Sequence, residues 1–214
     1  LDDWQKPDED FRSLQQLSRE KNQIIEQRVM CMNQLHAEKN EAHPHQKSLE
    51  RLDERIKFLR DQEKEIKNDV ENILKDNKEI NEQVKLLCSI PGVGKETAVS
   101  VLSETNGFEL IRNKKQLTSY AGLDVKEKLS GTSVKGKPRI SKRGNKYLRR
   151  TMYFPALTAI RVEPKYNEMY VRLISKSGIK LKGITAVSRK ILELMYVIHK
   201  TQKPYDREYE INRA

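Results

Sequence analysis

Apolar residues recur every seven positions at Leu52, Leu59, Ile66, Ile73, Ile80 and Leu87, and Ile56, Val70 and Val84 fill a second seam. Six heptads with charged flanks predict a coiled-coil helix over residues 47–88. Glu63 and Asn77 occupy the other two positions of the second seam. Polar residues there weaken a seam and can set its register. Residues 11–40 carry a thinner helical stripe of Leu14, Leu17, Ile24 or Ile25, and Leu35. The run His43-Pro44-His45 interrupts it, because proline removes a helix donor and restricts the residue before it. The first helix could fold back on the long one as an antiparallel hairpin, or two copies of the long helix could pair between subunits. Periodicity leaves both arrangements open.

Beyond residue 88 the pattern breaks into shorter pieces. Ser89 to Thr105 reads as an apolar residue, Pro-Gly-Val-Gly, then an amphipathic helix, the outline of a helix-hairpin-helix. Such a turn exposes backbone N–H groups at a helix start, where Gly92, Gly94 and Lys95 would favour a phosphate. The alternative is a tight glycine turn joining two packed helices. A Walker loop is excluded, since the required spacing before Gly-Lys and the preceding strand are missing. A helical pair is expected over 108–123, with Phe108, Leu110, Ile111, Leu117, Tyr120 and Leu123 as apolar positions and Gly122 as a stop. A helix from Lys146 would bury Tyr147, Met152, Phe154, Leu157 and Ile160, and Pro164 ends it. Tyr166, Tyr170, Leu173 and Ile174 open another. Residues 178–185 read as a linker, with a last helix starting at Ile184 or Thr185 and a core stripe of Ile191, Leu194, Met195 and Ile198.

The expected fold is therefore mainly α: long coiled-coil helices, then a compact helical domain with a helix-hairpin-helix and a basic loop. The expected division is an opening segment and first helix at 1–46, the coiled-coil helix at 47–88, the helical domain at 89–200 and a polar, frayed tail at 201–214. Within the basic loop, Val134 and Ile140 flank a turn-like Gly136 and allow a small β-hairpin.

Charge changes this picture. Residues 1–87 hold 16 Lys and Arg against 20 Asp and Glu, while residues 88–214 hold 26 against 11. The positive charge belongs to the C-terminal half, which is the candidate nucleic-acid face. It peaks at residues 126–150, with ten Lys and Arg and the single acid Glu127. A solvated basic loop is the plain alternative. A membrane-surface reading wants aromatic anchors beside the cations, and the one Trp, Trp4, lies far away. No apolar run is long enough to span a bilayer, no signal peptide is visible, and a cytoplasmic location is expected. Cys31 and Cys88 stand apart, the four histidines carry no motif, and no metal site is expected.

Chemistry has few candidates. A serine becomes a nucleophile when neighbours activate it, and cations nearby steady a phosphoryl transition state. Ser130 lies between Leu129 and Gly131 with Lys128 nearby. Ser133 and Ser141 are comparable on spacing alone, and a loop serine is ordinarily only that. Glu104, Glu109 and Asp124 are scattered and read as caps or surface pairs.

The stretches IPGVGKETAVSVL at 90–102, SYAGLDV at 119–125, LSG at 129–131 and ISKRGNKYLRRTMYFPA at 140–156 together resemble the transposase domain of the IS110 family of insertion-sequence transposases, including the IS1111 group. The resemblance covers about residues 88–180. It implies DNA transposition or site-specific recombination through a serine that attacks DNA. That serine falls on Ser130, with Ser133 as second choice because the family loop varies in length. Lys142, Arg143, Asn145 and Arg149 would hold DNA or RNA backbone near the scissile phosphate, joined by Lys135, Lys137, Arg139, Lys146 and Arg150. The family also implies a structured guide RNA, assembly into homo-oligomers, here through the coiled coil, and an N-terminal RuvC-like domain whose four acids bind Mg²⁺. That acidic domain is expected upstream of Leu1, so no cofactor is expected within these residues and the chain is expected to be inactive alone. A non-catalytic nucleic-acid-binding coiled-coil protein is the competing reading.

Overall fold

The computed structural model describes residues 8–109, 111–130 and 134–208, with the side chains of 127–130 and 134–138 left aside. Leu110, Ser133 and residues 1–7 and 209–214 thus lie outside the described residues. The chain divides into two compact units, Leu1–Lys78 and Glu79–Ala214.

The first unit is a helical hairpin. Helix α1, Glu9–Lys39, starts at Asp8, whose carboxylate accepts from the Asp10 and Phe11 N–H groups at 2.9 and 3.1 Å. Glu9 and Asp10 in its first turn and His36 and Lys39 in its last complement the helix dipole. The break around Pro44 returns the chain into α2, Gln46–Asp76, which packs antiparallel on α1 within the same chain. Ile24, Leu59 and Ile66 form the buried middle, flanked by Leu17 and Cys31. Both polar seam residues meet partners on α1. Glu63 pairs with Arg28 at 3.3 Å, and Asn77 donates its side-chain N–H to the Asp10 carboxylate at 2.8 Å. A polar side chain at a packing face is tolerated where the facing helix supplies its counterpart, and this fixes register.

The heptad does not run through as one helix. Leu74, not Ile73, is the buried residue of its turn, because a straight helix drifts from a strict seven-residue repeat. At Asn77 the backbone turns extended (φ −104°, ψ 93°) and α2 stops. Ile80, Val84 and Leu87 are instead the buried face of a separate helix, α3, Lys78–Leu87.

In the second unit α3 leads through residues 88–94 to α4, Lys95–Thr105. Every residue of α4 from Ala98 to Thr105 is buried, so it is a central helix, not the amphipathic one expected. Its polar positions are satisfied internally: Ser100 Oγ lies 3.1 Å from Thr151 Oγ1, and Thr105 Oγ1 donates to the Val101 carbonyl. The expected helical pair over 108–123 contains one helix, α5, Lys114–Tyr120. Phe108 is wholly buried but sits in a left-handed turn, φ 62°.

The basic loop is a two-stranded antiparallel hairpin, β1 Val125–Ser130 and β2 Val134–Ile140. Gly136 is not its turn: it pairs with Lys128 inside the ladder. The register shifts by one residue between Lys126 and Lys128, opposite Lys137 and Pro138. Proline cannot donate to a ladder and is accommodated at such a bulge.

Among the described residues of this unit four helices follow: α6 Lys146–Thr151, α7 Tyr153–Val162, α8 Pro164–Ser177 and α9 Lys180–Thr201. Helix α9 packs on α5, α7 and α8. Its Ser188 hydroxyl donates to the Met152 carbonyl at 3.1 Å, and its Tyr196 hydroxyl to the Ile111 carbonyl at 3.3 Å. The linker expected at 178–185 shrinks to Gly178 and Ile179. Gly183 lies inside α9, where a Cβ would stand 2.6 Å from the Tyr170 ring, so this glycine admits α8. Phe154, expected in the core, is 74% exposed. The buried side of α6 and α7 is Leu148, Met152, Ala156, Ala159 and Ile160, and the i, i+4 spacing places residue 154 outside it. The start of the tail is docked, not frayed: Tyr205 N–H donates to Ser89 Oγ at 2.8 Å, and Arg207 pairs with buried Glu163 at 3.1 Å.

Candidate nucleic-acid interface

The site grows from one turn. Residues 141–145, Ser-Lys-Arg-Gly-Asn, join the base of the β-hairpin to α6. Gly144 has φ 141°, and a Cβ on it would collide with the Tyr120 carbonyl oxygen and lie 2.9 Å from that of Ser119. Only glycine lets the two backbones meet there. They are then stitched together: Ser141 N–H donates to the Asp124 carbonyl, Lys142 N–H to that of Gly122, and Asn145 N–H to that of Tyr120, at 2.9, 3.1 and 2.7 Å. The Ser141 hydroxyl donates to the Asp124 carboxylate at 2.5 Å.

Asn145 is the pin. Its Oδ1 accepts from the Tyr147 and Leu148 N–H groups and caps α6, while its Nδ2 donates to the Glu104 carboxylate at 2.6 Å. Glu104 is 2% exposed, and the Tyr120 hydroxyl donates to its backbone carbonyl at 3.0 Å. Arg149 points back and donates to the Ala121 carbonyl at 2.8 Å. Two residues expected on the nucleic acid, Asn145 and Arg149, are thus engaged in holding the turn. Lys142, Arg143, Lys146 and Arg150 are exposed. The Lys146 ammonium lies 5.0 Å from the Tyr147 ring centroid. Sequence reasoning misses Glu104 as a site residue, since a lone acid after VLS gives no signal until α4 is known to be buried all round.

At the base of the hairpin Lys126 pairs directly with Arg139, and both are exposed. Like charges face to face across a ladder cost stability that a bound anion would offset. Ser130 pairs with Val134 at the opposite end of the hairpin, about 17 Å along the strand from its base. Lys126 and Arg139 thus stand at the end of the hairpin that Ser141 and Lys142 join to the turn, and the Ser130 backbone stands at the other end. Lys135 and Lys137 lie on β2; their side chains and that of Ser130 lie outside the described residues, as does Ser133 altogether.

The glycine turn at 91–94 splits into two roles. Gly92 has φ 89°, and a Cβ would stand 2.5 Å from the Pro155 carbonyl oxygen and 3.0 Å from the Ala159 nitrogen. It is a close-approach glycine against α7, facing Pro155 and the small Ala159. Gly94, the residue before α4, is exposed, with no atom within 4 Å of a Cβ position. Lys95 follows it at the surface. Burial pushes the Cys88 thiol up, with Lys95 acting the other way more weakly, which makes this thiol a poor nucleophile. Among the described residues no group of three or more His, Cys, Asp or Glu could hold a metal ion, and no helix is long and apolar enough to cross a membrane.

A buried helical scaffold that presents a cationic turn and ribbon defines a domain suited to a polyanion. Residues 84–171 match the sequence profile of the family described as "Transposase IS116/IS110/IS902 family". Over those residues the chain is similar to an IS110/IS116-family transposase domain. It is 28% identical over 156 residues to the "Pilin gene-inverting protein" of Moraxella bovis, covering 72% of this chain and 48% of that protein. The protein of the same description from Moraxella lacunata matches to the same extent. An "Insertion element IS110 uncharacterized 43.6 kDa protein" of Streptomyces coelicolor is 27% identical over 113 residues, 53% of this chain and 28% of that protein. The chain spans about half the length of the Moraxella relatives it matches.

Proposed function

We propose that this chain is the DNA-binding, serine-bearing portion of an IS110-type recombinase. The observation that carries the reading is the Glu104–Asn145 pin, which fixes a turn bearing exposed Lys142 and Arg143 and caps α6, which bears exposed Lys146 and Arg150. Rigid backbone beneath solvated cations suits phosphate positioning, because the ordering cost has been met on folding. The relatives described as gene-inverting proteins fit this, since inverting a gene requires DNA to be cut and rejoined.

In this reading the Ser130 hydroxyl oxygen attacks the phosphorus of a backbone phosphodiester. A P–O ester bond to the serine forms and one P–O bond to a deoxyribose breaks. The displaced deoxyribose oxygen receives the proton that the serine gives up. The reaction is a transesterification, so the phosphodiester count is conserved and rejoining is its reverse. The cation cluster at the base of the hairpin holds phosphates of the flanking backbone, and the reacting phosphate lies at the far end of the hairpin. Among the described residues no cluster of acids could hold the Mg²⁺ that the family implies. Residues 1–214 by themselves bind DNA in this reading without exchanging strands.

Residues 78–105 are read as the helix-hairpin-helix, with the exposed Gly94 and Lys95 as its phosphate-binding end. The α1–α2 hairpin is read as a coiled coil that joins copies of the chain and meets a structured guide RNA; exposed Val29, Met30 and Met32 on α1 and Phe58 on α2 support the first role.

The test incubates the full product of the gene with the element's RNA, Mg²⁺ and labelled end-junction DNA, followed by a denaturing gel. A covalent protein–DNA band that disappears with Ser130→Ala and persists with Ser133→Ala is the expected result. A band unaffected by Ser130→Ala removes the serine assignment. Salt-sensitive binding with no band from any form leaves the non-catalytic binding reading in its place.

A further inference from the structure

Among the described residues Phe154 is the most exposed of the large apolar side chains, at 74%. Its ring packs edge-on against Tyr153, with centroids 5.5 Å apart and planes at 82°, and Tyr153 is itself 38% exposed. The core of α7 does not need it, since Ala156, Ala159 and Ile160 supply the buried side. Lys146 and Arg150 stand four apart on α6, and Phe154 follows two residues after its C-cap Met152. Between Ser141 and Val162 the sequence has six Lys and Arg and no acid.

A protein partner at this aromatic pair would have to supply an acidic rim. A second copy that meets it with the same face brings cations against cations, which is repulsive. A nucleic-acid strand satisfies both features together: its phosphates lie on the cations and an unpaired base lies on the ring. Every base has a π-face, so the stacking is tolerant of sequence. A base inside a duplex is already stacked on both sides and has no face to offer.

We infer that Phe154, propped by Tyr153, is a stacking site for an unpaired DNA base, with Lys146 and Arg150 on the adjoining phosphates. DNA is the strand assigned because it is what gene inversion acts on. The inference rests on the nucleic-acid reading above and adds a preference for opened over fully paired DNA.

The experiment uses the full chain and three labelled probes of one sequence: a single strand of DNA, the blunt duplex, and the RNA strand. Phe154→Ala should weaken single-stranded DNA about tenfold and leave the duplex unchanged. Phe154→Trp should retain affinity, and its fluorescence should be quenched by single-stranded DNA. Phe154→Leu should behave as the alanine variant, since it keeps apolar bulk and loses the π-face. The exposure of residue 154 leaves folding intact in all three, checked by circular dichroism. Equal losses on single strand and duplex, or no loss on either while wild-type binding stays salt-dependent, overturns the stacking site and spares the general reading. A stronger Phe154 dependence for RNA than for DNA overturns the assignment of the strand. Failure of the wild-type chain to bind any of the probes removes the nucleic-acid reading itself.

Discussion

The two units of this chain handle polar residues on packed surfaces in opposite ways. In the α1–α2 hairpin, Glu63 and Asn77 sit on a regular seam and are answered by Arg28 and Asp10 on the facing helix. These pairs fix which turn of one helix meets which turn of the other. In the second unit, Glu104 and Asn145 meet across 41 residues of sequence, and what they fix is the conformation of a single turn. One unit uses its polar pairs for register and the other for aiming cations. The acidic balance of residues 1–87 and the basic balance of residues 88–214 follow the same division.

That contrast can be broken by substitution. The largest effect on stability is expected at Gly92→Ala, where a positive φ and a 2.5 Å approach to the Pro155 carbonyl combine; about 3 kcal/mol should be lost in urea unfolding. Asn145→Ala removes the α6 cap and the partner of a buried carboxylate. It should cost about 2 kcal/mol and lower DNA affinity with no cation removed. Loss of affinity without loss of stability would contradict the role of Asn145 as a structural pin. Gly94→Ala is the control for Gly92, since the Cβ meets open space; it should cost under about 1 kcal/mol.

The smallest effect concerns pH. Both ring nitrogens of His199 are buried without a hydrogen-bond partner, and the ring lies 4.9 Å from that of Phe108. Burial, and then Lys200, push its pKa below the ordinary 6.5. The unfolded chain therefore takes up the proton first. The contribution to stability is complete above 6.5 and is lost as pH falls through the folded-state value. His199→Leu should flatten the fall in stability between about pH 7 and 5 relative to wild type; an unchanged slope would remove this account.

The sequence shows most where physics is local. Heptad spacing locates the buried positions Leu52, Ile56, Leu59 and Ile66, and Pro44 locates the reversal. It does not show the break at Asn77, which depends on where α1 begins and what Asp10 can reach. Gly183 reads as a linker glycine because its function, admitting the Tyr170 ring, belongs to another helix. The cations of 142–150 are legible as a cluster. The division of that cluster into side chains that hold the turn, Asn145 and Arg149, and side chains that face outward is not, because it is set by Glu104 and Ala121 from distant segments. Phe154 reads as inward because a helical stripe does not reveal that Ala156, Ala159 and Ile160 already supply the buried side of α7.

Binding of nucleic-acid phosphates by the outward cations of the second unit would show in the salt dependence of DNA affinity. It is tested most directly by measuring DNA affinity of the full chain across a range of salt. One variant replaces Lys142, Arg143, Lys146 and Arg150 with alanine; the other replaces exposed Lys57, Arg60, Lys64 and Lys75 on α2. Every phosphate that the protein no longer neutralises should flatten the log–log salt slope by about 0.9. The slope of the first variant should be shallower by about 3 to 4, and that of the second should match wild type. Equal slopes for the first variant and wild type, or an equal flattening in both variants, would contradict the account.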